Sequence, residues 1–233
     1  MSLVYPSRRN LLMSYPRSGN TFLRYCVEQC TNKRTVAFVR PQFANDDWFD
    51  TLIKMGMSKM DAQPISLIDS NPNEIVLEKT HQIFDGDEKV FNKENGGRVI
   101  LLLRDFKESI GRQIFSSPTE YVRELPKYKH LLSVYDKYEG DKIVIYYEDL
   151  ITETLETTKR ILDFIVEFNQ QKFDEFLNNL NEHKAKSVQK YEKFNKSFTH
   201  GNVLEFHASN FSKEIIDHMN SELSHPLTQR YIS

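Results

Sequence analysis

Residues 98–103 read RVILLL, so five consecutive side chains after the arginine are apolar. A strand with one face in water alternates apolar and polar residues. A strand without alternation is covered on both faces, which is the condition of a strand inside a parallel sheet with helices above and below. Three further runs fit the same sheet: residues 10–15 (NLLMSY), 74–79 (EIVLEK) and 142–147 (KIVIYY), with a shorter one at 35–39. Between them, apolar residues return at helical spacing, as do Phe22, Leu23, Cys26, Val27 and Cys30 within residues 20–30. Strands alternating with helices predict an α/β fold of three layers, with a central parallel sheet flanked by helices.

Further helices are expected over residues 46–57, 105–116, 119–138 (bent near Pro126), 150–168, 171–194 and 211–223, the last ended by Pro226. Residues 63–73 and 195–209 read as loops. The 233 residues suffice for one sizeable core, and no stretch reads as a linker, so residues 1–233 are expected to form a single domain. Cys26 and Cys30 share one helix face and read as small core residues, with too few neighbours for a metal site or a disulfide scaffold.

The formal net charge of -2 argues against a non-specific nucleic-acid binder, so a polyanion site must be a local cluster of arginine and lysine. No apolar run reaches the roughly 18–20 residues of a membrane span. Arg8 and Arg9 are followed only by Leu11, Leu12 and Met13 before polar residues, too little for a signal-peptide core. A cytoplasmic protein is expected.

Three candidate sites fall at the carboxyl ends of predicted strands, where open parallel sheets bind ligands. After the first strand comes Tyr15-Pro16-Arg17-Ser18-Gly19-Asn20-Thr21. A small turn with a glycine lets successive N–H groups converge on an anion, and the helix that follows adds its positive end. Arg17 adds a full charge, and Ser18 and Thr21 add hydroxyls. Set against this is an ordinary strand-to-helix turn, with Gly19 there for geometry alone. The second site is Arg104, directly after RVILLL, with Ser109 and Arg112 on the next helix. An arginine there can grip a second phosphate as a fork, or simply pair with Asp105 or Glu108. The third is Lys79-Thr80-His81, where the histidine could accept a proton near neutral pH.

These segments, in this order, resemble the PAPS-dependent sulfotransferases. SYPRSGNTFL resembles their 5′-phosphosulfate loop, commonly YPKSGTTWL, and RVILLLRDFKESIGR resembles their 3′-phosphate segment. EKTH resembles the Lys-Thr-His of the cytosolic branch, VIYYEDL resembles the segment carrying Tyr-Glu-Asp, and residues 195–211 loosely resemble the loop that closes over the nucleotide. The SYPRSGNTFLR form looks more like the microbial and carbohydrate-type sequences of the family.

The resemblance implies a P-loop-like fold and transfer of a sulfuryl group from PAPS to a hydroxyl or amine of a small-molecule or carbohydrate acceptor, releasing PAP, with no metal required. It implies that Ser18, Gly19, Asn20 and Thr21 hold the 5′-phosphosulfate while Arg17 stabilises the leaving oxygen. His81 would be the base, with Lys79 adding charge beside it. Arg104 would bind the 3′-phosphate, Phe22 and Tyr147 would line the nucleotide pocket, and Lys196 would reach it from the closing loop.

The chain departs from the family pattern in places. Arg17 replaces the commoner lysine, Phe106 replaces a proline, and Arg112 stands where the family has a serine. Either Ser109 or Arg112 then completes the 3′-phosphate site. A kinase or phosphotransferase on the same scaffold is the alternative enzyme, weakened by the absence of G-x-x-x-x-G-K followed by Ser or Thr. A non-catalytic PAP- or anion-binding module is the other.

Overall fold

The computed structural model describes residues 10–37, 75–81, 97–114, 118–183 and 211–232. The expected helix at 46–57, the loops at 63–73 and 195–209 (with Lys196) and the end of the helix expected over 171–194 lie outside the described residues.

Five strands form one sheet: β1 (Leu11–Ser14), β2 (Arg34–Ala37), β3 (Ile75–Thr80), β4 (Val99–Leu103) and β5 (Lys142–Tyr146). Their spatial order is β2-β3-β1-β4-β5, and every neighbouring pair is parallel. The fold is thus the α/β arrangement that the RVILLL run demands. All of β4 is buried, and its residues divide by parity. Val99, Leu101 and Leu103 pack into one core cluster, while Ile100 and Leu102 pack into another. β1 divides the same way, with Leu11 and Met13 on one side and Leu12 on the other.

The first layer holds α2 (Phe106–Gln113), α3 (Tyr121–Lys137) and α7 (Lys213–Glu222), through Phe106, Ile110, Leu125, Tyr128 and Met219. The second holds α1 (Asn20–Thr31), α5 (Thr154–Ile165) and α6 (Gln170–Asn178), through Leu23, Val27, Ile161, Leu162 and Phe176. Burial of these apolar faces, at about 25 cal/mol per Å², is what holds three layers together.

One expectation changes. The helix expected over 150–168 is two helices, α4 (Tyr147–Thr152) and α5, so Tyr147 opens a helix and does not end a strand. α3 runs through the exposed Pro126 as one helix, opened by a 3₁₀ turn at Pro118–Glu120. The missing hydrogen bond costs the helix about 3 kcal/mol, which the buried Leu125, Tyr128, Leu131 and Leu132 around it offset.

The register sets the site. Met13 lies opposite Thr80 on β3 and opposite Leu101 on β4, so the carboxyl ends of these three strands stand side by side. The chain leaves β1 towards β2 and β3, and leaves β4 towards β5. A crevice therefore opens beyond β1 and β4, the usual ligand position in such sheets.

Candidate functional site

Residues 15–19 make the turn from β1 into α1. Arg17 (φ 68°) and Gly19 (φ 93°) are both left-handed. Turns with such residues gather successive N–H groups into an anion-binding concavity. Gly19 caps α1 with no side-chain hydrogen bond, and the first turn carries no acidic residue. Phe22 and Leu23 donate to the Gly19 carbonyl at 3.1 and 3.2 Å. The Asn20 and Thr21 amides precede the first intrahelical bonds and have no acceptor within the helix, so the helix presents its positive end uncompensated. Ser18 is fully buried, yet its hydroxyl has no hydrogen-bond partner among the described residues. An orphaned buried hydroxyl is costly unless a polar ligand completes it. A Cβ on Gly19 would lie 2.2 Å from Cδ2 of Tyr147, so the first residue of α4 packs directly on the loop.

On one side of β1, β3 delivers Lys79 and Thr80, and His81 follows it. His81 Nδ1 is 3.2 Å from both the hydroxyl and the carbonyl oxygen of Ser14. The Ser14 hydroxyl in turn donates to Asn20 Oδ1 at 2.8 Å. Burial, then the nearby cations Lys79, Arg24 and Arg17, hold His81 well below the usual imidazole range, against the opposing pull of the Ser14 backbone contact. The ring is neutral at pH 7 and can accept a proton.

On the other side, Arg104 follows β4. It is buried, donates to the Arg17 carbonyl at 3.3 Å and lies 4.2 Å from the centre of the Tyr147 ring. It also contacts the buried carboxylate of Glu108, at 3.4 Å, and the same Glu108 oxygen accepts from Nε of Arg112. Burial and the charge on Arg112 push both Arg17 and Arg104 below the ordinary guanidinium value. Three guanidiniums crowd here, and an anion among them would relieve their repulsion.

Beneath them, Asp105 caps α2 by accepting from the Lys107 amide at 2.9 Å. Glu148 accepts from the Asp105 amide at 3.1 Å and from the Tyr231 hydroxyl at 2.6 Å, and Lys107 donates to the Tyr231 carbonyl. The C-terminal 3₁₀ helix, Pro226–Tyr231, is thereby tied to the base of the arginine cluster. Burial pushes Asp105 up to about 6, with Lys107 opposing.

The structure thus brings Arg17, Ser18, Gly19, Asn20, Thr21, Lys79, His81, Arg104 and Tyr147 to one edge. Ser109 and Arg112, alternatives in the sequence, are placed differently. Ser109 is fully buried and donates its hydroxyl to the Phe106 carbonyl at 3.3 Å, whereas Arg112 joins Arg104 on Glu108. Phe22 is only 3% exposed and belongs to the core cluster that contains Tyr147. Sequence reasoning missed Ser14 and Glu148 as site members and named Glu108 only as an alternative ion-pair partner of Arg104, which it is. Arg104, Glu108 and Arg112 stand at successive four-residue steps, and that spacing was a signal available in the sequence. Among the described residues no group of three or more His, Cys, Asp or Glu is placed to hold a metal ion, and no helix is long and apolar enough to cross a membrane.

No family model matches the chain. It is 27% identical over 176 residues to the WSCD family member CG9164 of Drosophila melanogaster, a match covering 66% of this chain and 49% of that protein. The chain therefore spans about half the length of the curated relative it matches. The solved structure of mouse sulfotransferase SULT7A1 complexed with PAP aligns over 97% of this chain and 87% of that one, with a TM-score of 0.53 and 15% sequence identity. At that identity the likeness carries the fold, which is the P-loop-like α/β fold of a sulfotransferase.

Proposed function

We propose that this chain is a PAPS-dependent sulfotransferase that transfers a sulfuryl group from PAPS to a hydroxyl of a small-molecule or carbohydrate acceptor and releases PAP. The observation that carries the reading is the orphaned, buried Ser18 hydroxyl. It lies in a left-handed loop at a helix N-terminus, with the arginine cluster on one flank of β1 and a neutral histidine on the other.

The residues fit the donor. Ser18, Gly19, Asn20 and Thr21 would hold its 5′-phosphosulfate with N–H groups and hydroxyls. Arg104 and Arg112 would take the 3′-phosphate, with Ser109 supporting their helix from within. Tyr147, with Phe22 behind it, would wall the nucleotide, and Lys196 would contact it from the loop at 195–209. His81 would accept the acceptor's proton as the new S–O bond forms. Arg17 would stabilise negative charge on the phosphate oxygen as the old S–O bond breaks, and being an arginine it gives up no proton. Lys79 would add positive charge to the same centre. Transfer of this kind needs no metal. Residues 1–233 would act as one cytoplasmic sulfotransferase domain of the microbial, carbohydrate-type branch.

A thermal-shift comparison tests the reading. PAP at about 100 times its Kd should stabilise the chain by roughly 2.7 kcal/mol without magnesium. Stabilisation by Mg-ATP alone would overturn it in favour of a phosphotransferase. PAP binding with no sulfuryl transfer to any of a panel of hydroxyl acceptors would leave an anion-binding module.

A further inference from the structure

We propose that Ser14 is the positioning residue of the base: it fixes His81 as the Nδ1–H tautomer and joins it to Asn20, the first residue of the helix behind the anion loop. The catalytic consequence rests on the sulfotransferase reading, but the geometry does not.

Ser14 is fully buried at the end of β1 and has one hydroxyl hydrogen. That hydrogen goes to Asn20 Oδ1 at 2.8 Å. The same hydroxyl oxygen, and the Ser14 carbonyl oxygen, each lie 3.2 Å from His81 Nδ1. A carbonyl oxygen can only accept, and the hydroxyl hydrogen is already engaged, so Nδ1 is the donor to both. A neutral imidazole carries one N–H, which leaves the lone pair on Nε2. Among the described residues, the charged groups acting on the ring are Lys79 from β3, Arg24 from α1 and Arg17 from the loop, all cations that oppose a second proton. Burial and these cations keep the ring neutral, while Ser14 decides which nitrogen is basic. The amides of α1 that would seat an anion are linked to that base by two side chains, Asn20 and Ser14, and two hydrogen bonds.

Nitrogen-15 NMR of histidine-labelled protein reads the tautomer without any substrate, and His81→Ala identifies the signal among the 7 histidines. Wild type at pH 7 should show a protonated Nδ1 and a bare Nε2. Ser14→Ala should raise the Nε2–H population several-fold, and Ser14→Thr should restore the wild-type pattern. In turnover, Ser14→Ala should lower kcat about tenfold, a fraction of what a general base contributes, with KM for PAPS changed less. Ser14→Thr should recover most of the loss. A wild-type His81 carrying its proton on Nε2 would overturn the proposal. So would a folded Ser14→Ala protein with an unchanged tautomer, or a kcat loss that only tracks a lowered Tm. Failure of the wild type to bind PAP would instead strike the sulfotransferase reading, and the NMR result would still judge Ser14.

Discussion

The two flanks of β1 carry opposite electrostatic designs. Towards β3, the polar side chains of Ser14, Asn20 and His81 satisfy one another, and the histidine is kept uncharged by burial and nearby cations. Towards β4, Arg104 and Arg112 share the carboxylate of Glu108 with Arg17 close by, and the loop between the flanks keeps a Ser18 hydroxyl with no partner among the described residues. On the proposed function, the first flank would take a proton and the second an anion. One sheet edge can hold both because a single strand separates them.

The strongest way to break this division is to remove one flank and read the other. His81→Ala should lower turnover by about 10²- to 10⁴-fold while PAP binds as before. A parallel loss of PAP affinity in calorimetry would show that the flanks are not separate. Arg104→Ala should do the reverse. It should weaken PAP about 10- to 100-fold, the worth of charge-assisted hydrogen bonds, and adenosine 5′-phosphosulfate much less, since that donor has no 3′-phosphate. Equal weakening of both would contradict the assignment of the β4 flank.

The hinge between the flanks is Gly19. Gly19→Ala meets Tyr147 at 2.2 Å and also strains a φ of 93°. It should cost about 2 kcal/mol in denaturant unfolding and weaken PAP as well.

The pH profile sharpens the β3 flank further. Because the folded pKa of His81 lies well below 6.5, the acid limb of kcat/KM should fall well below pH 6.5. Stability follows the same sign. Between the folded value and 6.5 the unfolded chain binds the proton and the folded one does not, so Tm should decline as pH drops through that window. Asp105, raised to about 6, acts oppositely, since protonating it below 6 favours the folded state. His81→Gln should flatten the decline, and Asp105→Asn should steepen it.

The smallest effect belongs to a control far from both flanks. Val166 closes α5 in the left-handed conformation (φ 58°), with its amide on Asp163 and that of Glu167 on Leu162, and its side chain is exposed. A β-branched residue pays for that φ, so Val166→Gly should raise stability by up to about 1 kcal/mol and leave turnover unchanged. A destabilised Val166→Gly protein would mean that the exposed valine makes a contact worth more than the strain.

Much of the site was legible because strand ends can be read from local pattern. RVILLL places Arg104 at an edge, EIVLEK places His81 near one, and SYPRSGNT places a glycine turn after a third. What could not be read was which side chains face one another. Ser109 and Arg112 both lie on α2, and sequence left the choice between them open. The packing of α2 on the sheet buries the first completely and leaves the second on Glu108 beside Arg104. Glu148 and Tyr231 lie 83 residues apart, and their hydrogen bond exists only because the C-terminal 3₁₀ helix returns to α4. The break between α4 and α5 was also missed, since apolar spacing alone runs smoothly through Glu153.

By itself the sequence determined that a parallel sheet would contain the buried runs NLLMSY and RVILLL and that a glycine turn would follow the first, because apolar runs and a glycine turn are local properties. The strand order was decided by tertiary structure alone. Seating β1 between β3 and β4 brings Ser14 to His81 across 67 residues and Arg17 to Arg104 across 87. No local pattern encodes that order, which follows from how two layers of helices cover one twisted sheet.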